Sequence, residues 1–186
     1  VLAHAKIYTQ ATYYLASVAD EVYVNPLGMT DIRGFASEVP FYKTLLDRLG
    51  VNMQIYYAGK FKSATEPYRR TNMSPESKTQ VREFLNDFYD LYLDDVAASR
   101  KMDRAELKKI VDDYLAYNPE KAVELGLMEG LAHPQEATDR LREKLGLGEE
   151  ANLPLVSLDN YYQNNPPKKN FQAKDKIAVL YAEGTI

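Results

Sequence analysis

The residue types able to do chemistry are few. The chain has two histidines, no cysteine, and one glycine-lysine pair at Gly59-Lys60. Without cysteine, thiolate nucleophiles, thiolate zinc sites and disulfide scaffolds are excluded. His4 lies in an apolar run, where a packed or capping role is expected, and His133 precedes Pro134, as surface turn residues do. Gly59-Lys60 would suit a phosphate loop, but Gln54 stands where that loop needs its first glycine and Phe61 where it needs Ser or Thr. Dinucleotide, zinc-protease, calcium-loop and nucleophile-elbow motifs do not occur. No metal and no organic cofactor is therefore expected. The fifteen tyrosines read as core and interface residues before they read as a binding site.

These side chains need elements to hold them. With 186 residues, the chain suffices for one well-cored domain. Apolar residues make up 45% and the net charge is −4, so the composition is globular and a general affinity for nucleic acid is not expected. Val1–Ile7 alternates like a strand, and Glu21–Asn25 predicts a second one ending at Pro26. Phe41, Leu45, Leu46 and Leu49 recur at helical spacing before Gly50, and the alternation of Val51, Met53, Ile55 and Tyr57 predicts another strand. This rhythm indicates an α/β domain. Ser74-Pro75-Glu76 opens a long helix with Val81, Phe84, Leu85, Phe88, Tyr92 and Val96 on its apolar face. Asp103 and Glu106 open the next helix, Pro119 and Pro134 two more, with stops near Gly126 and Gly146. Asn160–Lys176, with Asn164-Asn165-Pro166-Pro167 and four lysines, reads as an exposed linker. Ile177–Tyr181 then reads as a buried-type strand with nothing local to pair with. Val1 already lies inside a strand, so the chain is expected to be a piece of a longer one. The longest apolar run, Ile177–Ala182, is far short of the roughly 20 residues that span a bilayer.

Three ordered segments carry a resemblance. Gly59-Lys60-Phe61-Lys62-Ser63-Ala64-Thr65-Glu66-Pro67-Tyr68, followed by Met73-Ser74-Pro75-Glu76, resembles the lysine segment of the signal peptide peptidase (protease IV) family. Tyr13 to Asp20, then Asn25-Pro26 and Gly28, resembles the stretch after that family's catalytic serine. Ala122 to Met128 resembles a third family segment, with Glu129 where the family has Asp. The resemblance implies a crotonase/Clp-protease-like ββα superhelix, here incomplete. It divides the chain into residues 1–150, a lysine-bearing first copy truncated at its start, a connecting segment 151–176, and residues 177–186 as the first strand of a second copy. Alignment on Tyr13-Tyr14 puts Gln10 at the nucleophile position and Ala11 and Thr12 at the two glycines beside it. An amide cannot attack a carbonyl.

On this resemblance Lys62 is the general base of a Ser/Lys dyad, and the serine comes from outside the chain. Free lysine has a pKa of about 10.4, so only about 0.04% is neutral at pH 7. The work of a base needs that value roughly three units lower, or about 4 kcal/mol against the charged form. Burial and nearby cations act in that direction. Phe61 and Ala64 are placed to shield the amine, Lys60, Arg69 and Arg70 to repel its charge, and Glu66 is expected to point elsewhere. Ser63 adjoins Lys62. Neighbouring side chains point to opposite faces of a strand and diverge by about 100° on a helix, which argues against it as the nucleophile. The intact enzyme implied is a serine endopeptidase that degrades cleaved signal peptides at the outer, periplasmic face of the bacterial cytoplasmic membrane. It would be held there by an N-terminal anchor, act on apolar peptides and form a homo-oligomer, a tetramer by the family's habit. The alternatives are a crotonase-fold scaffold that binds apolar peptides without chemistry and, more weakly, an acyl-CoA enzyme.

Overall fold

The computed structural model describes residues 1–148, 151–166 and 179–181. Its contacts form two units, Val1–Glu149 and Glu150–Ile186.

In the first unit the alternating start becomes β1, Leu2–Thr9. Helix α1, Gln10–Ala16, then leads to β2, Glu21–Asp31. The two strands pair in parallel, as a strand–helix–strand crossover requires. A short β3, Gly130–Leu131, pairs in parallel on the far side of β2, giving the order β1-β2-β3. The first unit is thus mixed α/β with a small parallel sheet.

Strand β2 runs past Pro26, where the sequence reading ends it. Between the pairs Ala5–Val24 and Ile7–Met29, the segment Asn25–Gly28 faces Lys6 alone. This bulge has no ladder bond for proline to break. The Leu27 N–H donates to Asn25 Oδ1 at 2.9 Å and closes the turn. A Cβ on Gly28 would lie 2.1 Å from the Lys6 carbonyl oxygen, so only glycine fits. The alternation Val51–Tyr57 does not become a strand. It has no ladder partner among the described residues, and Val51, Met53 and Tyr57 are 44%, 46% and 55% exposed. Periodicity sets which side chains share a face, but a strand also needs a neighbour.

The helices follow their caps. Helices α2, Lys43–Arg48, and α3, Glu66–Arg69, are exceptions without a side-chain cap. Ser74 Oγ accepts from the Ser77 N–H at 3.1 Å and starts α4, Pro75–Arg100. The Asp103 carboxylate accepts from the Ala105 and Glu106 N–H groups and starts α5, Arg104–Asp112. Asn118 caps α6, Pro119–Glu124. The His133 N–H donates to Glu136 at the start of α7, Pro134–Lys144. Leu93, Val96, Leu107, Ile110 and Val111 of α4 and α5 share a core with Tyr8, Tyr13, Val22, Val24, Ile32 and Leu127. Only the second half of α4 buries its apolar face. Phe84 and Phe88 in its first half are 59% and 46% exposed.

The second unit holds α8, Leu158–Asn164, inside the expected connecting segment 151–176 and overlapping the start of the expected linker. Ser157 caps it by accepting from the Asn160 N–H at 3.2 Å, and its residues are exposed. The expected strand at 177–186 lies outside the described residues except for 179–181.

Candidate active site

Lys62 sits on a turn. Gly59 has φ +92, a left-handed conformation that favours glycine, and the Lys62 N–H donates to its carbonyl at 3.4 Å. A 3₁₀ turn, Ser63–Thr65, follows and runs directly into α3. The Lys62 side chain is exposed at the edge of a groove of about 700 Å³. Tyr56, Tyr57, Phe61, Val81 and Phe84 make the groove mostly apolar. Lys62 itself has φ −88 and ψ 75, neither strand nor helix, so Ser63 borders the same groove. The expectation that the two side chains part company rested on regular backbone, which is absent here.

The charges around this segment are arranged unequally. Glu66 is 2% exposed. Its carboxylate accepts from the Ser74 N–H at 3.0 Å and lies 3.6 Å from the Arg69 guanidinium. Burial pushes the Glu66 carboxyl up. The hydrogen bonds from Ser74 and the charges of Arg69 and Arg70 outweigh burial and hold it below the ordinary glutamate value. Glu66 therefore turns away from Lys62. Two of the expected cations are held by partners of their own. Arg69 stacks on the Tyr57 ring at 3.8 Å, and Arg70 Nε donates to the Asn72 carbonyl at 3.1 Å. Lys60, Arg69 and Arg70 border a separate hollow with Glu66. Among the described residues the Lys62 ammonium has no hydrogen-bond or ion-pair partner.

The second expected position, Gln10, is the first residue of α1. Thr9 caps that helix by accepting from the Thr12 N–H. Gln10 Oε1 accepts from the Arg33 N–H at 3.2 Å and the Gly34 N–H at 2.6 Å. Sequence reasoning missed this pair, because 23 and 24 residues separate the partners and only Gly34 marks the turn. Gln10 borders a different groove from Lys62, of about 740 Å³, with Tyr14, Leu15, Phe35 and Phe88. The two grooves meet at α4, where the Phe84 and Phe88 rings pack edge to face at 4.7 Å. His4 is structural, with its Nε2 donating to the Ala132 carbonyl at 2.9 Å.

The other two resemblance segments are joined inside the core. The buried Tyr13 hydroxyl donates to the Leu127 carbonyl at 2.6 Å. Glu129 Oε2 accepts from the Val22 N–H at 2.5 Å, while its other oxygen pairs with Arg100. Tyr14 reaches Asp95 on α4.

Comparison with known proteins identifies the family of the chain. The model of peptidase family S49 matches residues 1–148. Protease 4 of Haemophilus influenzae is 34% identical over the whole chain, which spans 32% of that protein. Protease 4 of Salmonella typhi is 30% identical, again over the whole chain and 31% of its own length. The chloroplastic serine protease SPPA of Arabidopsis thaliana is 25% identical over 94% of the chain and 26% of its length. The chain spans about a third or less of each of these relatives. With a family match over the whole α/β unit that holds Gln10 and Lys62, the chain belongs to peptidase family S49.

Proposed function

We propose that this chain is the lysine-bearing part of a serine endopeptidase, with Lys62 as the general base and the nucleophilic serine in a part of the protein outside residues 1–186. The observation that carries the reading is the placement of Lys62. Its amine borders an apolar groove, free of ion pairs among the described residues, while the nearby Glu66 carboxylate is committed to Ser74 and Arg69. In the reaction, the serine Oγ bonds to the scissile carbonyl carbon as its proton passes to Lys62 Nζ. Lys62 then gives that proton to the leaving amine, and water releases the acyl group by the same route. A neutral amine requires cover that shields it from water. The rest of the longer protein and neighbouring subunits would supply that cover over a side chain that is exposed here.

The apolar lining of the groove favours extended apolar peptides, and the family resemblance points to cleaved signal peptides. The same reading gives a crotonase-like ββα fold for residues 1–150, a second copy opening at residues 177–186, and a homotetramer at the bacterial cytoplasmic membrane with its catalytic part on the outer side. Among the described residues no helix is long and apolar enough to cross a membrane, so attachment would use a segment outside them. A second reading, a scaffold that binds apolar peptides without chemistry, is favoured by one observation: the Gln10 side chain is hydrogen-bonded in place at the nucleophile position.

A serine-directed fluorophosphonate separates the two. The full-length peptidase takes one label per protomer, on a serine outside this chain, and the 186-residue chain alone takes none. A label mapped to Ser63 or another serine of this chain overturns the division of labour. No label on the full-length protein supports the scaffold.

A further inference from the structure

The Arg33 and Gly34 N–H groups converge on one oxygen, and that oxygen belongs to the chain itself. Gln10 Oε1 accepts from both, at 3.2 and 2.6 Å. Two successive backbone donors aimed at a single point form an anion-binding concavity. Such pairs hold a polarised carbonyl oxygen in acyl-transfer enzymes. Neither donor belongs to α1. Both lie in the turn after β2, where Gly34 has φ +88 and Arg33 Nε is tied to Asp31 at 3.0 Å. The turn is therefore anchored on both sides of the donors. Phe35, the next residue, packs against Phe88 and Tyr92 of α4, with ring centroids at 6.4 and 6.2 Å. The surrounding groove is open, about 740 Å³, and bordered by Tyr14, Leu15 and Phe88. Room for a ligand exists beside a donor pair that a side chain already fills.

We propose that the Arg33–Gly34 N–H pair is an acyl-oxygen site, suited to a carboxylate or a peptide carbonyl, that this chain closes with its own Gln10 side chain. An intramolecular carbonyl competes at high effective concentration, so a free ligand cannot displace it. Gln10 then does more than lack a nucleophilic atom. It removes the electrophilic half of the chemistry, and a hydroxyl placed nearby would find no donors for its substrate. The proposal is independent of the role of Lys62, and its test reads no peptidase activity.

Amide resonances of the ¹⁵N-labelled full chain test it, with sodium acetate as the probe. In the wild type the Arg33 and Gly34 amides are protected from hydrogen exchange and do not respond to acetate. In Gln10→Ala both exchange about tenfold faster or more, and both shift saturably with acetate. Gln10→Glu, which keeps an acceptor at the same reach, restores protection and removes the acetate response. Should Gln10→Ala lose its fold, Gln10→Asn, whose carbonyl falls one methylene short, takes its place with the same expected outcome. Equal exchange at Gly34 in the wild type and the truncated variant overturns the proposal. So does a truncated variant whose Arg33 and Gly34 amides ignore acetate.

Discussion

The Ser74 N–H donates to the Glu66 carboxylate at 3.0 Å, and this bond ties the lysine segment to the start of α4. It also decides where the negative charge nearest in sequence to Lys62 points. Glu66→Ala leaves the buried Ser74 N–H without its partner and should cost about 2 kcal/mol. The urea midpoint measures it, and an unchanged midpoint contradicts the assignment.

The same carboxyl predicts a pH dependence. Its folded value lies below the ordinary glutamate value of about 4.3. Below that ordinary value the unfolded chain binds the proton that the folded chain still releases. Stability from Glu66 is therefore full above it and fades as pH falls through the folded value. Urea midpoints should climb with pH across this acidic window, less steeply in Glu66→Gln. Equal slopes in the two proteins contradict the linkage.

Tyr13→Phe tests the join between the Tyr13–Asp20 and Ala122–Met128 resemblance segments. It removes the hydroxyl that satisfies the Leu127 carbonyl and should cost about 1–2 kcal/mol. Tyr14→Phe removes a solvent-exposed bond to Asp95 and should cost less. The reverse order in thermal denaturation would show that the buried bond is not what holds this corner.

Gly28→Ala should be the most damaging one-atom change in the sheet. The added Cβ meets the Lys6 carbonyl at 2.1 Å, so β1 and β2 must separate there. A loss of about 3 kcal/mol or more is expected. A variant as stable as the wild type would mean that the bulge is wrongly drawn.

Glu129→Ala strands Arg100, whose side chain is 6% exposed, and removes the acceptor for the Val22 N–H. About 3 kcal/mol should be lost. Calorimetry reads it, and a neutral result would reduce Glu129 to a surface residue.

Much of this fold is local and was legible as such. Ser74, Asp103, Pro119 and Pro134 announce their helices because a cap or first-turn residue and its partners lie within three or four residues. The sheet was harder. Pro26 stops a strand by rule, but a bulge facing Lys6 lets β2 continue. Val51–Tyr57 alternates without becoming a strand, since no sequence pattern supplies the neighbour it needs. At the candidate site Lys62 was legible through the residues around it, whereas its surroundings were not. Val81 and Phe84 reach the groove from α4, and the Arg69 guanidinium stacks on Tyr57. The hold on Gln10 had no sequence signal beyond a glycine.

The most direct test of Lys62 is turnover of an apolar peptide by the full-length protein carrying Lys62→Met, which keeps an unbranched apolar stem and removes the base. With an unchanged melting temperature, kcat should fall by about 10²–10⁴-fold. A correctly folded variant that turns over within about threefold of wild type across the pH range would contradict the role of Lys62 as general base.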